Sequence, residues 1–172
     1  MTKSSALTKA SSLNTLNQAS PILEHTRSFI LKLEDLPREE GGLSLNLSEL
    51  KSCSVLMRPL DVGSEIYIRN ECSEKTHKYF LTRKNGQGIS QHRYEVNITE
   101  EQFDDLWNEV DPYYSMNRYA HLFLGGVEIE INTFHGEVGA GYLEIRAKFD
   151  SFADALSFEA PEWFGWETTN HC

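Results

Sequence analysis

Six basic residues recur at the polar positions of segments whose apolar residues alternate. They are Arg69, Lys84, Arg93, Arg118, Arg146 and Lys148, interleaved with Glu95, Glu128, Glu130 and Glu144. A guanidinium offers several donors in a fixed fork that matches phosphate oxygens, and lysine adds a compact point charge. Read for chemistry, the set suits a phosphate-rich anion. Alternation leaves two arrangements open. On an open sheet these are ordinary solvated side chains. In a sheet curled on itself they share one lumen, which must be wet or filled by a ligand of complementary charge, because unpaired buried charges are costly.

Other chemistry is sparse. His77, His92, His121 and His135 are scattered without ligand spacing, which favours core or surface roles. Cys53, Cys72 and Cys172 neither pair evenly nor show metal-ligand spacing, so a reduced compartment is the simpler inference. The chain has no P-loop, no G-x-S-x-G elbow, no CxxC and no Rossmann glycine pattern. No catalytic residue is assigned.

The elements that must position the charges are mostly strands. Ser64–Glu71 alternates Ile66 and Ile68 with Tyr67 and Arg69, and His77–Lys84 ends at the turn-forming Asn85-Gly86-Gln87-Gly88. Gln91–Ile98 puts Arg93, Glu95 and Asn97 on one face. Thr99-Glu100-Glu101-Gln102 reads as a capping box opening a helix with an apolar stripe of Phe103, Leu106, Trp107 and Val110. Arg118–Leu124 and Val127–Asn132 flank Gly125-Gly126, a hairpin signal, with Glu128, Glu130 and Asn132 on one face. Tyr142–Phe149 sets Glu144, Arg146 and Lys148 against Leu143, Ile145, Ala147 and Phe149; a short helix over Ser151–Phe158 follows. A strand is expected within His25–Leu33 and a loop over Leu36–Gly42, while Leu43–Arg58 stays unassigned. The class is α+β with one closed or strongly curved antiparallel sheet.

The 172 residues, 40% hydrophobic and 11% aromatic, suit one globular domain over 21–172. Residues 1–20, rich in Ser, Thr, Asn and Ala and lacking acids, read as a flexible tail. They lack the apolar core of a signal peptide, so the expected location is cytoplasmic. A net charge of −10 opposes general nucleic-acid binding. No apolar run approaches the roughly 20 residues needed to cross a bilayer, so no membrane partner is expected.

The ordered set of short motifs resembles the CYTH domain, the fold of the triphosphate tunnel metalloenzymes. The carboxy-terminal block carries most of it: Phe149-Asp150-Ser151, Ala155, Phe158, Pro161, Trp163-Phe164-Gly165 and Thr168. Upstream, Thr82-x-Lys84, Arg93-x-Glu95, Arg118-Tyr119 and Glu130-x-Asn132-x-Phe134-x-Gly136 fall in the expected order, so the similarity spans about residues 22 to 170. The resemblance implies a closed antiparallel barrel of about eight strands with flanking helices and a charged tunnel. It implies phosphate binding at Arg69, Lys84, Arg93 and Arg118, with Arg146 and Lys148 added. Thr82, Glu95, Glu128, Glu130, Asn132 and Glu144 are the other tunnel polar residues.

The departures concern metal. The family's first strand carries Glu-x-Glu-x-Lys, but here the match runs through Glu24, Thr26 and Ser28. Its last tunnel strand carries a metal-holding Glu-x-Glu where this chain has Arg146 and Lys148, and Asn132 replaces a further acid. Hard divalent cations want carboxylate oxygens. No metal or other cofactor is therefore expected, with Glu95 and Glu130 as fallback ligands. The preferred reading is a tunnel protein binding a nucleotide, triphosphate or polyphosphate with reduced or no metal-dependent catalysis. The alternatives are an active Mg²⁺- or Mn²⁺-dependent triphosphatase or cyclase, and a non-binding scaffold.

Overall fold

A computed structural model describes residues 11–40, 43–44, 52–57, 64–73, 75–108, 115–134 and 141–169. Most of the chain is β-sheet. After a helix over residues 11–17 (α1) come β1 (Ile22–Lys32), the two-residue strands β2 (Glu39–Glu40) and β3 (Leu43–Ser44), and β4 (Ser52–Met57). Then follow β5 (Ser64–Ser73), β6 (Thr76–Asn85), β7 (Ser90–Ile98), α2 (Glu100–Trp107), β8 (Ser115–Leu124), β9 (Val127–Phe134) and β10 (Tyr142–Phe149). The chain closes with α3 (Phe152–Ser157) and β11 (Trp166–Glu167). Nine strands form one antiparallel sheet in the order β10-β9-β8-β4-β5-β6-β7-β1-β11, with β10 also paired to β1.

Local chemistry explains the joints. Gly125 and Gly126 both take positive φ, +56° and +84°, as a two-residue hairpin between right-twisted strands requires. The box at the start of α2 forms as its sequence foretells. Gln102 N–H donates to the Thr99 hydroxyl at 3.1 Å, and Thr99 N–H donates to Gln102 Oε1 at 2.9 Å.

Because strand side chains alternate, one sheet face is apolar and the other charged. The apolar face packs outward on the helices as two clusters. Phe29, Leu31, Ile129, Ile131, Leu143, Ile145 and Ala147 pack with Phe164. Ile66, Ile68 and Leu81 pack with Leu16 of α1 and with Phe103 and Leu106 of α2. Each such buried side chain contributes roughly 1.5–3 kcal/mol. Within the stretch read as a flexible tail, residues 11–17 are thus helical and Leu16 is fully buried. Trp107, expected in the apolar stripe of α2, is 42% exposed, and Val110 lies outside the described residues.

The closed eight-stranded barrel implied by the resemblance is not what forms. β1 pairs β7 only over Ile22–His25 and β10 over His25–Lys32, so His25 alone has neighbours on both sides in those ladders. Beyond that level β11 takes the edge that β7 has left, at Phe29 and Ile30. Among the described residues the β4–β8 ladder runs from Ser52–Arg118 to Val55–Ser115. Staggered strands therefore give a strongly curved, incompletely sealed sheet whose charged face is concave.

Candidate functional site

One wall of the cleft comes from β5, β6 and β7. Their registers put Tyr67 opposite Thr82, Thr82 opposite Glu95, and Lys84 opposite Arg93. Glu95 accepts from the Thr82 hydroxyl at 2.8 Å and from Arg69 Nη2 at 3.1 Å, and lies 3.8 Å from Arg93 Nη1. The Arg69 guanidinium lies 4.2 Å from the centroid of the Phe80 ring and also reaches Glu71. Two cations facing each other, as Lys84 and Arg93 do, repel. Glu24 of β1 answers both: its carboxylate is 3.2 Å from Lys84 Nζ and 3.1 Å from Arg93 Nε.

The other wall is β9, β10 and β1. Here Arg146 lies between Glu130 and Ser28 in the ladders, and Lys148 between Glu128 and Thr26. Arg146 donates to Glu144 at 3.1 Å, and Glu144 also accepts from Asn132 at 3.2 Å. Lys148 is 3.4 Å from Glu128 and forms a close ion pair with Glu130, whose side chain is 1% exposed.

The two walls sense each other across the gap. Arg146 interacts electrostatically with Tyr67 of β5 and Lys84 of β6, which lie several strands away along the sheet. Only a cleft brings them close. Burial, and then the charge of Arg146, push the Lys84 amine down to about 8. The Glu144 carboxylate, opposed by burial, raises Arg146 above its ordinary value. Burial also opposes charge on Glu24, but Lys84 and Arg93 together outweigh it and hold the carboxyl below the usual range. Tyr67 is raised, mainly by burial, and donates its hydroxyl to Glu65.

Sequence reasoning named most of this cleft. Arg69, Thr82, Lys84, Arg93, Glu95, Glu128, Glu130, Asn132, Glu144, Arg146 and Lys148 share the charged face and are joined by the contacts above. Arg118 stands opposite Asn132 in the β8–β9 ladder, but its side chain lies outside the described residues. His77 stacks on Tyr79 on the outer face, while the side chain of His121 and all of His135 lie outside the described residues. Tyr67 was missed as a cleft residue, although its alternation with Arg69 was the available signal.

The corner that the resemblance assigns to a divalent cation is lined on β1 and β10 by hydroxyls and cations. Hydroxyls at Thr26 and Ser28 face the cations Lys148 and Arg146, and Glu24, Glu95, Glu130 and Glu144 each already meet a basic side chain. Among the described residues no three His, Cys, Asp or Glu side chains are grouped to hold a metal. What the arrangement offers instead is a set of guanidinium and ammonium donors on facing walls, each checked by a carboxylate.

Comparison with known proteins places this geometry. An inorganic triphosphatase of Nitrosomonas europaea is 31% identical over 115 residues, covering 66% of this chain and 72% of that protein. The crystal structure of an inorganic triphosphatase superposes with a TM-score of 0.50 at 26% identity, covering 85% of this chain and 86% of that one. A putative adenylate cyclase from Bacillus halodurans shares the fold, with a TM-score of 0.57 at 13% identity over 79% of this chain and 85% of that one. No family model matches the chain.

Proposed function

Since the chain belongs to the triphosphate tunnel (CYTH) superfamily, we propose that its concave cleft binds a phosphate-rich anion with little or no metal-dependent turnover. The class includes nucleotides, inorganic triphosphate and polyphosphate. One observation carries the reading: Thr26 faces Lys148 and Ser28 faces Arg146 across the β1–β10 ladder. By the resemblance, Thr26, Arg146 and Lys148 stand where metal-holding glutamates are expected and Ser28 where a phosphate-binding lysine is, so both strands of the corner have changed together. Hydroxyls and cations are the donors that phosphate oxygens take, and charge-assisted hydrogen bonds of this kind contribute roughly 1.5–3 kcal/mol each. Lys84, Arg93 and Arg69 supply further cations from the facing wall.

The relative named an inorganic triphosphatase supports a second reading, a working metal-dependent hydrolase using the acids that remain. Titration of inorganic tripolyphosphate and of nucleoside triphosphates separates the two. Binding should occur in EDTA and gain little from Mg²⁺ or Mn²⁺, and phosphate release should be absent or slow. Robust release with either metal, lost in Glu95→Gln or Glu130→Gln, would overturn the proposal in favour of the enzyme. Failure to bind any phosphate compound leaves a scaffold. Among the described residues no helix is long and apolar enough to cross a membrane.

A further inference from the structure

Glu24 is placed unlike the other acids of the cleft. It stands on β1 at the narrow seam, opposite Gln91 of β7, and its carboxylate reaches Lys84 on β6 and Arg93 on β7 together. Those two cations are direct cross-strand partners, and Glu24 is the acid that meets both, while Glu95 lies 3.8 Å from Arg93 alone. Both side chains of the Lys84–Glu24 pair are only 12% exposed.

The contacts leave hydrogen-bonding capacity unused. Glu24 Oε2 and Arg93 Nε are buried, yet neither completes a hydrogen bond of good geometry. Glu95 differs. It accepts aligned bonds from the Thr82 hydroxyl and from Arg69, which makes it part of the wall's own framework. The Glu24 carboxylate thus neutralises two cations while its own Oε2 and Arg93 Nε keep unfilled hydrogen-bonding capacity. Phosphate oxygens, with more acceptors and more negative charge, would satisfy the same two donors better.

We infer that Glu24 is an internal counter-ion occupying the place of a ligand phosphoryl group between Lys84 and Arg93, and so sets the affinity of the cleft. The inference rests on the anion-binding reading above and gives this acid a task other than holding a metal. An incoming polyanion must push the carboxylate aside. Once displaced, Glu24 is left close to added negative charge with its cations engaged elsewhere, which is unfavourable where burial limits screening by water. Replacing the carboxylate by an amide removes that opposition and keeps the side chain's shape. The neighbours that bear on Glu24 are Lys84, Arg93 and, more weakly, Lys148 of β10.

The test is titration calorimetry of inorganic tripolyphosphate in EDTA with the parent protein, Glu24→Gln and Glu24→Asp, alongside thermal unfolding of each. Glu24→Gln should bind about ten- to a hundredfold tighter than the parent, the range expected from one charge-assisted contact. Its unfolding temperature without ligand should fall, since Lys84 and Arg93 then lose their shared counter-ion. Glu24→Asp retracts the charge by one methylene and should lie between the two; it serves alone if the amide variant does not fold. A merely structural Glu24 would lose stability and affinity together. Binding by the variants equal to or weaker than the parent's would overturn the inference and leave anion binding standing. A parent that does not bind beside a Glu24→Gln variant that does would support the inference. No binding by any of the three would overturn both.

Discussion

Ser28 of β1 and Arg146 of β10 are direct partners across an antiparallel ladder, and Thr26 and Lys148 repeat the arrangement two residues away. The changed positions lie side by side on one face, so they act as one unit. A carboxylate restored at Thr26 alone would find Lys148 opposite it and form a salt bridge rather than a metal site. Only a change on the β10 side removes the opposing positive charge.

The double variant Arg146→Glu, Lys148→Glu is therefore expected to abolish tripolyphosphate binding in EDTA. Any affinity that returns should depend on added Mg²⁺ or Mn²⁺. Titration calorimetry checks this, and unchanged binding in EDTA would remove Arg146 and Lys148 from the ligand site.

Lys84 gives a pH signature. Its amine is pushed down to about 8 from an ordinary 10.5, chiefly by burial. Below pH 8 the group is charged in folded and unfolded chains alike, and folding bears the burial cost in full. Between 8 and 10.5 the folded chain sheds its proton first, so the unfolded chain binds more protons and stability rises with pH. The gain attributable to Lys84 is about 3 kcal/mol at most. Urea unfolding of the parent and of Lys84→Met across that window should show the parent's extra rise. Parallel curves would rule it out.

Gly165 follows the Pro161–Phe164 block with φ at +79°, and a Cβ there would run into the Ile30 carbonyl and press on Leu31. Gly165→Ala should cost at least about 2 kcal/mol, from the strained backbone plus displacement of β11 from β1. Chemical denaturation measures it. A cost below about 0.5 kcal/mol, the usual range for a neutral surface change, would show that the segment repacks freely.

Leu16→Ala should cost about 2–5 kcal/mol, because the side chain is fully buried against Ile66, Ile68, Leu81, Phe103 and Leu106. Hydrogen exchange should lose protection first in α1 and the facing part of β5. An effect as small as that of an exposed leucine would detach α1 from the core.

The alternation that placed Arg69, Lys84, Arg93, Glu130, Arg146 and Lys148 on one face was legible because strand geometry forces period two. The Thr99 and Ser151 caps were legible because their chemistry is local. Sealing of the sheet was not legible: it depends on how far β1 slides past β7, a stagger that no residue encodes alone. Nor was the pairing of Glu24 with both Lys84 and Arg93, which arises from three strands' registers at once. The helix over residues 11–17 hides in Ser- and Asn-rich composition; Leu13 and Leu16, one turn apart, are its only core-facing apolar signal. Strand β4 hides similarly, since its Ser-Cys-Ser start alternates weakly.

The position of β1 also bears on the order in which the molecule can assemble. Its partners in β10 and β11 lie more than a hundred residues later in the chain. Contacts of such sequence separation close late and fold slowly. During synthesis β1 emerges more than a hundred residues before β10, and until then the hydrogen-bonding edge of Phe29–Lys32 lacks its native partner. An unpaired strand edge is a template for any other extended segment. The segment that brings β10, α3 and β11 thus ends that exposure as well as completing the sheet.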